Sequence, residues 1–428
     1  TMREMKDSGI EWIGEIPATW ECLHLKYLCT FKTGGTPNGK KGIDFEGDYP
    51  WITPQDMQES FDIEKYTQYI SKESLRSSNF VLFPRGTVLL VCIASVGKVG
   101  IINTPAYANQ QITALKANDS VLPRFLGYVV SAGSTQMAFD ASSNVIPIIN
   151  TKYLQNFSVA CPPLSEQKNI VTFLDSQCSE IDAISADIQK EIKTLEKYKR
   201  SVITEAVTKG LNPDVEMKDS GIKYIGAIPS AWTIRRIKDI YTLQTGFTPD
   251  TKQSDYYDDE NGLDWITIAD LGSEKNIPKS TKSKISRKYV NLFRPVPTPK
   301  GSLLYSFKLS VGQVAFTDRL IFTNEAIASF LPTNDVCLNF LYYAAFLIEY
   351  NANTNIYGAH ILNQQLIKNA HIVNPPIDEQ HEIAKYLDSK CLEIDAIVFC
   401  KKQQIETLSR YKKSLIYEYV TGKKAVST

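Results

Sequence analysis

The chain has 428 residues, with 47 Lys plus Arg against 47 Asp plus Glu, and 43% of its residues are hydrophobic. That length suits two ordinary domains, and the apolar and aromatic content excludes a disordered chain. The charge balance excludes a uniformly basic nucleic-acid binder, so any phosphate-holding surface has to be local. The eight cysteines are scattered without a CxxC pair and there are only four histidines, which fits neither a zinc site nor a secreted disulfide framework. A reducing, cytoplasmic compartment is expected. The longest apolar runs, residues 88–96 and 340–348, are about half of the ~18 residues a span requires, and the first residues lack the apolar core of a signal peptide. No membrane partner is expected.

In chain order, the first landmark is residues 5–20, which recur as residues 217–232 with eleven of sixteen positions identical. The chain is therefore an internal duplication with a period near 213 residues. Further landmarks keep their order in both copies. Thr33-Gly34-Gly35-Thr36-Pro37 answers to Thr245-Gly246-Phe247-Thr248-Pro249, and Trp51-Ile-Thr-Pro-Gln-Asp56 to Trp265-Ile-Thr-Ile-Ala-Asp270. Residues 84–90 and 95–99 answer to 299–305 and 310–314. Residues 87–93 and 302–307 are apolar and bounded by Pro and Gly, the pattern of buried strands, and residues 122–130 and 338–346 read as a helix in each copy. The middles of both copies are thus predicted to be mixed α/β domains whose polar loops have drifted apart.

Each copy closes on a clearer element. Pro162-Pro-Leu-Ser-Glu-Gln returns as Pro375-Pro-Ile-Asp-Glu-Gln, and offers Ser165 with Glu166, and Asp378 with Glu379, as helix-start residues. Apolar residues then recur every seven positions: Leu174, Ile181, Ile188, Leu195 and Val202 in the first copy, Leu387, Ile394, Leu408 and Leu415 in the second. Ile184, Ile192 and Tyr198, and likewise Ile397, Ile405 and Tyr411, are expected to broaden that seam, which Lys401 interrupts. A seam this long asks for a partner helix, and the other copy supplies it. Packing of each helix on its own domain is the competing account. The connectivity favours an antiparallel coiled coil of two helices, each ~60 Å long at ~1.5 Å per residue, between two domains in pseudo-two-fold arrangement. The expected division is 1–160, first domain; 161–212, first long helix; 213–373, second domain; 374–428, closing helix.

The segments that resemble catalytic constellations are decoys. Asn374-Pro-Pro-Ile377 resembles an adenine-methyltransferase loop but lacks its stacking aromatic, and no cofactor fingerprint precedes it. Residues 213–218 are too tightly spaced for a nuclease metal site, and no phosphate-binding GxxxxGK[ST] loop occurs. No active site and no cofactor are expected on this chain. Binding signals are better. From Lys275 to Lys300 the sequence carries Lys279, Lys282, Lys284, Arg287, Lys288 and Arg294 without an acid, interleaved with Tyr289 and Phe293. Such a stretch can neutralise phosphates, although a solvated charged loop has the same composition. At the matching place the first copy has Lys72, Arg76 and Arg85 among acids, supplemented by Lys40, Lys41 and Lys98. Asn109-Gln110-Gln111 and Asn324-Glu325 carry groups of the kind that read base edges, or simply close turns.

The Ile-Gly-x-Ile-Pro-x-x-Trp block at residues 13–20 and 225–232, together with the Pro-Pro-x-x-Glu-Gln helix starts, resembles the specificity subunit of Type I restriction–modification systems over essentially the whole chain. The resemblance implies two target-recognition domains, each reading one half of a bipartite double-stranded DNA sequence, with the helices as a ruler between them. It implies two modification subunits as partners, which methylate adenine with S-adenosylmethionine, and restriction subunits in the full complex. By position it places Thr33, Gly34, Gly35 and Thr36 and Thr245, Gly246 and Thr248 toward DNA. Lys40, Lys41, Arg76, Arg85, Lys98, Gln110, Lys282, Lys284, Arg287, Lys288 and Lys308 complete the expected DNA-binding set. The classes to be distinguished from it are a DNA-modifying enzyme with an unrecognised site and a coiled-coil adaptor that never touches DNA.

A helical turn of ~5.4 Å exceeds one base-pair step of ~3.4 Å. Inserting four residues beside Ile188 is therefore expected to change the gap in the recognised sequence. Mapping methylated adenines with the modification subunits present checks it, and an unchanged gap would refute the ruler.

Overall fold

The computed structural model describes residues 3–36, 47–57, 61–77, 80–141, 146–258, 260–272, 274–308, 310–354 and 360–426. It falls into two compact units, Thr1–Lys190 with Lys401–Thr428, and Glu191–Cys400. Both cuts fall inside the long helices Leu164–Lys209 and Ile377–Val420, so each unit owns part of both.

The first unit is built on a five-stranded sheet in the order Cys29–Thr33, Ile112–Ala117, Val88–Val91, Val99–Ile102, Asp62–Ile63. The pairings are antiparallel except the last. Side chains alternate across a strand, and here both faces are covered. Val88 and Leu90 enter the core beneath the helix Pro123–Ala141, whereas Leu89 and Val91 enter a second core with Ile52, Met57 and Phe83. That is why the segment reads as a continuous apolar run. A three-stranded sheet, Tyr107–Ala108, Tyr49–Ile52, Tyr69–Ile70, carries the outer loops.

The second unit repeats the plan. Leu243–Thr245, Ile327–Phe330, Leu303–Ser306 and Val314–Phe316 form a four-stranded sheet, with a parallel bridge from Asn276 to Phe316 where the fifth strand would be. Leu303 and Tyr305 face one core and Leu304 the other. Two short helices, Leu338–Ala344 and Phe346–Glu349, stand where the first unit has one.

The opening block of each copy is explained by what it holds. Trp20 and Trp232 are fully buried, and their Nε1 groups donate to Glu166 and Glu379 in the first turn of the long helices, at 2.7 and 2.8 Å. The helices begin at Leu164 and Ile377, two residues earlier than caps at Ser165 and Asp378 would start them, so Ser165 and Asp378 lie in the first turn rather than ahead of it. The reason is the proline pair: the carbonyls of Pro163 and Pro376 accept the first helical bonds from Gln167 and Gln380, both at 3.0 Å. The side chains of Gln167 and Gln380 donate back to Pro162 and Pro375, both at 2.9 Å.

Within each unit the two long helices pair antiparallel. In the first, Phe173 packs on Tyr419 and Asp182 bonds Lys412 through both carboxylate oxygens, at 2.6 and 2.7 Å. In the second, Lys199 bonds both oxygens of Asp395 at 2.7 Å. The two ion pairs occupy equivalent positions of the repeat. Leu174, Ile181, Leu387, Ile394 and Leu415 are buried, while Ile188, Leu195, Val202 and Leu408 are half-buried. The expected flanks need correction: Ile184, Tyr198, Ile397 and Tyr411 are exposed, although Ile192 is buried. The second row of the seam runs four residues after the first, through Cys178, Ser185, Ile192 and Lys199, so Ile192 and half-buried Ile405 lie in it as expected, whereas the four exposed residues stand three after the first row. Lys401 is half-buried in an unbroken helix. Among the described residues no helix is long and apolar enough to cross a membrane.

Trp20→Phe keeps most of the ring but removes the donor to Glu166. A hydrogen bond to a charged group is worth ~1.5–3 kcal/mol, and a comparable loss of unfolding free energy is expected. Urea denaturation checks this, and an unchanged midpoint would refute it.

Candidate nucleic-acid interface

The Thr-Gly-x-Thr-Pro landmark ends an edge strand and turns tightly across the sheet. Gly34 and Gly35 donate to the carbonyls of Ile112 and Ala108 at 3.0 and 2.8 Å, and Trp51 Nε1 donates to the Gly35 carbonyl at 3.0 Å. In the second unit Gly246 and Phe247 donate to Ile327 and Thr323 at 3.4 and 2.9 Å, and Trp265 holds the Phe247 carbonyl at 3.1 Å. Glycine is required for closeness. A Cβ on Gly34 would lie 2.2 Å from the Ala108 oxygen, and one on Gly246 1.9 Å from that of Thr323. Thr33, Thr36 and Thr248 are exposed and Thr245 half-buried.

The Trp-Ile-Thr landmark fixes the next loop. Buried Asp56 accepts from the amide and hydroxyl of Thr53, both at 2.8 Å, and of Thr67, both at 2.7 Å. Asp270 accepts from the Thr267 amide and hydroxyl at 2.9 and 2.7 Å and from the Lys282 amide at 3.0 Å. The carboxylate thus shapes the start of the basic stretch and leaves the Lys282 side chain exposed.

Ser286 caps the helix Arg287–Phe293 by accepting from the Tyr289 amide. Arg287 is exposed, Lys288 pairs with Asp255 at 2.8 Å, and Lys284 donates to the Glu260 carbonyl at 3.2 Å. Both acids lie before the acid-free stretch. Phe247 stacks on Tyr289 with centroids 5.4 Å apart, which joins the landmark loop to the basic helix. Lys275 is different. It bonds Asp388 of the second long helix and sits over the rings of Phe316, Tyr342 and Tyr343, so its charge is already engaged.

The remaining candidates are dispersed. Arg85 is exposed in the turn after Pro84, and Lys98 donates to the Pro54 carbonyl at 3.2 Å. Lys308 pairs with Glu325 at 3.1 Å. Asn109 is buried and closes its own turn, accepting from the Gln111 amide and donating to the Gln111 side chain, both at 3.0 Å. Gln110 between them is exposed. Asn324 likewise accepts from Ala326 at 3.0 Å. Pro37, Lys40 and Lys41 lie outside the described residues, as does the side chain of Arg76.

One pairing was not legible in the sequence. Cys337 Sγ lies 3.5 Å from His381 Nδ1. Burial pushes this thiol up, away from the thiolate a nucleophile requires. Among the described residues no group of three or more His, Cys, Asp or Glu could hold a metal ion.

A repeated mixed α/β domain closed by a long helix, with unlike polar loops on like frames, defines a duplicated two-domain protein whose copies share a frame and differ in their loops. Residues 17–194 and 229–407 each match the family model of the Type I restriction modification DNA specificity domain, and the chain belongs to that family. It is 23% identical over 426 residues to the Type I restriction enzyme MjaVIII specificity subunit of Methanocaldococcus jannaschii, covering 95% of this chain and 93% of that one. It is 25% identical over 441 residues to the putative MjaX specificity subunit of the same organism, covering 97% and 96%. Its fold is similar to a chain in a solved structure described as the structural basis underlying complex assembly and conformational transition of the type I R-M system. That match has a TM-score of 0.69 at 16% identity, over 96% of this chain and 99% of the other.

Gly246→Ala is expected to cost ~1–3 kcal/mol, since a methyl group must displace backbone. Gly272→Ala, where nothing lies within 4 Å of the added carbon, should be neutral within ~0.5 kcal/mol. Thermal unfolding of the two variants checks this; equal melting would refute the close approach.

Proposed function

We propose that this chain is the specificity subunit of a Type I restriction–modification system. It recognises a bipartite double-stranded DNA target, one half with each recognition domain, and positions two adenine-methylating modification subunits, and restriction subunits, on it. The observation that carries this reading is the contrast within the duplication. Both copies keep the contacts that dock domain on helix, such as Trp20 to Glu166 and Trp232 to Glu379, while their polar loops differ. A chain meeting two unlike DNA half-sites and two like protein partners requires that division.

In this reading residues 1–160 and 213–373 are the recognition domains, and 161–212 and 374–428 the conserved helices between them. S-adenosylmethionine binds the modification subunits and this chain holds no cofactor. The assembly works in the cytoplasm. Thr33 to Thr36, Thr245, Gly246 and Thr248 lie toward DNA. The cations Lys40, Lys41, Arg76, Arg85, Lys98, Lys282, Lys284, Arg287, Lys288 and Lys308 position the backbone, and Gln110 reaches a base edge. Lys284 and Lys288 exchange their internal partners for phosphates on binding.

Mapping methylated adenines made by the assembled complex tests the reading, and a bipartite recognition sequence is expected. A contiguous sequence, or methylation independent of this chain, would overturn it. Replacing Lys284, Arg287 and Lys288 together by alanine should weaken DNA binding of the complex and reduce its salt dependence by roughly two to three units of slope. Unchanged salt dependence would remove this stretch from the interface.

A further inference from the structure

The duplication allows one place in the fold to be compared with its counterpart. In the second unit a cavity of about 940 Å³ opens where the end of Leu164–Lys209 and the start of Ile377–Val420 adjoin the helices Leu338–Ala344 and Phe346–Glu349. The same place in the first unit keeps about 370 Å³. Sequence and contact both establish the equivalence. Ile203 answers to Ile416, and a Cβ on Gly312 would meet Glu349 just as one on Gly97 would meet Ser134.

Two exchanges account for the difference. In the first unit Tyr417 crosses to the domain, where its hydroxyl donates to the Trp12 carbonyl at 3.0 Å. Its counterpart is Thr204, which is too short to cross. Tyr224, in the place of Trp12, stacks instead on Tyr350 with centroids 4.7 Å apart. The second exchange lies beside the domain–helix tie. Phe61 lies flat on Tyr128 and close against Gly127, where a Cβ would come within 2.6 Å of the ring. The second unit has Tyr342 for that glycine and, beside the equivalent parallel bridge, Lys275 for the phenylalanine. One frame is filled by its own side chains in the first copy and left open in the second.

The lining of the open copy selects a ligand. A cleft of this size, largely apolar and aromatic with a few placed polar groups, is the usual form of a small-molecule site. Tyr342, Phe346, Val314 and Ile203 supply its apolar and aromatic surface. Two of its cations are already matched, since Lys199 bonds Asp395 and Lys275 bonds Asp388. Arg200 is exposed and, among the described residues, has no acidic partner. Beside the cavity, Tyr305 pairs across the sheet with Val314; it is fully buried, and its hydroxyl has no hydrogen-bond partner. Aromatic walls take the face of a planar ring, and a guanidinium fork takes a carboxylate or a phosphate. A cationic ligand is disfavoured, because Asp388 and Asp395 already hold lysines and Arg200 would repel it. We infer that this cavity is a small-molecule site for a planar aromatic ring bearing a carboxylate or phosphate, with Arg200 on the anion and Tyr342 and Phe346 against the ring. The first unit, closed by Tyr417, has no counterpart. Lys275 and Asp388 line the cavity, so the ligand touches the tie between domain and helix in one half of the chain only.

The test uses the full chain without partners, titrated with adenosine monophosphate and with naphthoate and followed by isothermal titration calorimetry. Saturable binding of at least one of the two is expected, and which one binds separates phosphate from carboxylate. The uncharged analogues adenosine and naphthylmethanol should bind roughly ten- to hundredfold more weakly, and Arg200→Ala should weaken binding of the anion by a similar factor. Lys413→Ala, at the counterpart of Arg200 in the first unit, should change nothing. The same holds for joint replacement of Lys284, Arg287 and Lys288 by alanine, which controls for general attraction of anions to the basic stretch. Thr204→Tyr restores the ring of the first copy and should abolish binding, with thermal melting at or above that of the wild type. Should the tyrosine variant fail to fold, Arg200→Ala at its exposed position still decides. No binding of either compound to the wild-type chain, or binding that survives both Arg200→Ala and Thr204→Tyr, would overturn the site. Loss in Thr204→Tyr with none in Arg200→Ala would overturn the assignment of the anion to Arg200.

Discussion

In each unit an aspartate further along the long helix joins the tryptophan–glutamate bond at the helix start in tying the domain down, and the orientation of the frame depends on that aspartate. Asp175 accepts from the Tyr128 hydroxyl at 2.6 Å and from Arg124 Nε at 2.7 Å. Asp388 accepts from the Tyr343 hydroxyl at 2.6 Å and from Lys275. Burial first, and then the bond to the aspartate, push both phenols above the ordinary tyrosine range, so each remains a protonated donor. Such bonds contribute ~1.5–3 kcal/mol each, and unlike apolar contacts they fix an orientation. That matters for the loops the domain carries, because a small rotation at the helix becomes a displacement at the loop tip.

The same logic recurs further out. Asp56 and Asp270 are buried carboxylates whose acceptors are satisfied by threonines and backbone amides, which sets the loop after each Trp-Ile-Thr landmark and, through Asp270, the start of the basic stretch. Trp51 and Trp265 hold the carbonyl after the close-packed glycine. Between the helices, the Asp182–Lys412 and Asp395–Lys199 pairs put polar groups at the edge of an aliphatic seam. An isolated heptad seam tolerates slips by one repeat, whereas a slipped register would leave these lysines unpaired.

Legibility in the sequence followed the range of the interaction. The duplication, the long helices, the doubly buried strand at 88–91 and the glycine landmarks could be read directly, because periodicity and turn chemistry are local. The seam was read with its first row right and its second row shifted. Ile184 and Tyr411 are apolar at a plausible spacing, and only pairing in three dimensions reveals that they stay outside while Cys178 and Ser185 join Ile192 in the inward row. The basic stretch was read as one patch, yet Lys275 is engaged by Asp388, 113 residues away. Asn109 was read as a base reader or a turn residue, and its bonds to Gln111 close a turn. Side-chain bookkeeping of this kind depends on partners distant in sequence, and composition does not reveal it.

The two copies reach the same carboxylate by different routes, which indicates what the frame requires. Four residues before Tyr128 and Tyr343 stand Arg124 and Asn339, so the second copy lacks the helix-borne cation. It recovers the charge from Lys275, in the loop before the bridge at Asn276. In the first copy the corresponding loop carries Phe61, stacked on Tyr128, and Asp62, to which Arg124 also bonds. Tyrosine and aspartate are thus invariant between the copies, while the source of the cation is free to move between helix and loop. The loop at this place can then differ in sequence between the copies, provided that loop and helix together return one cation to the aspartate. That freedom allows one frame to carry two unlike reading surfaces in the same chain.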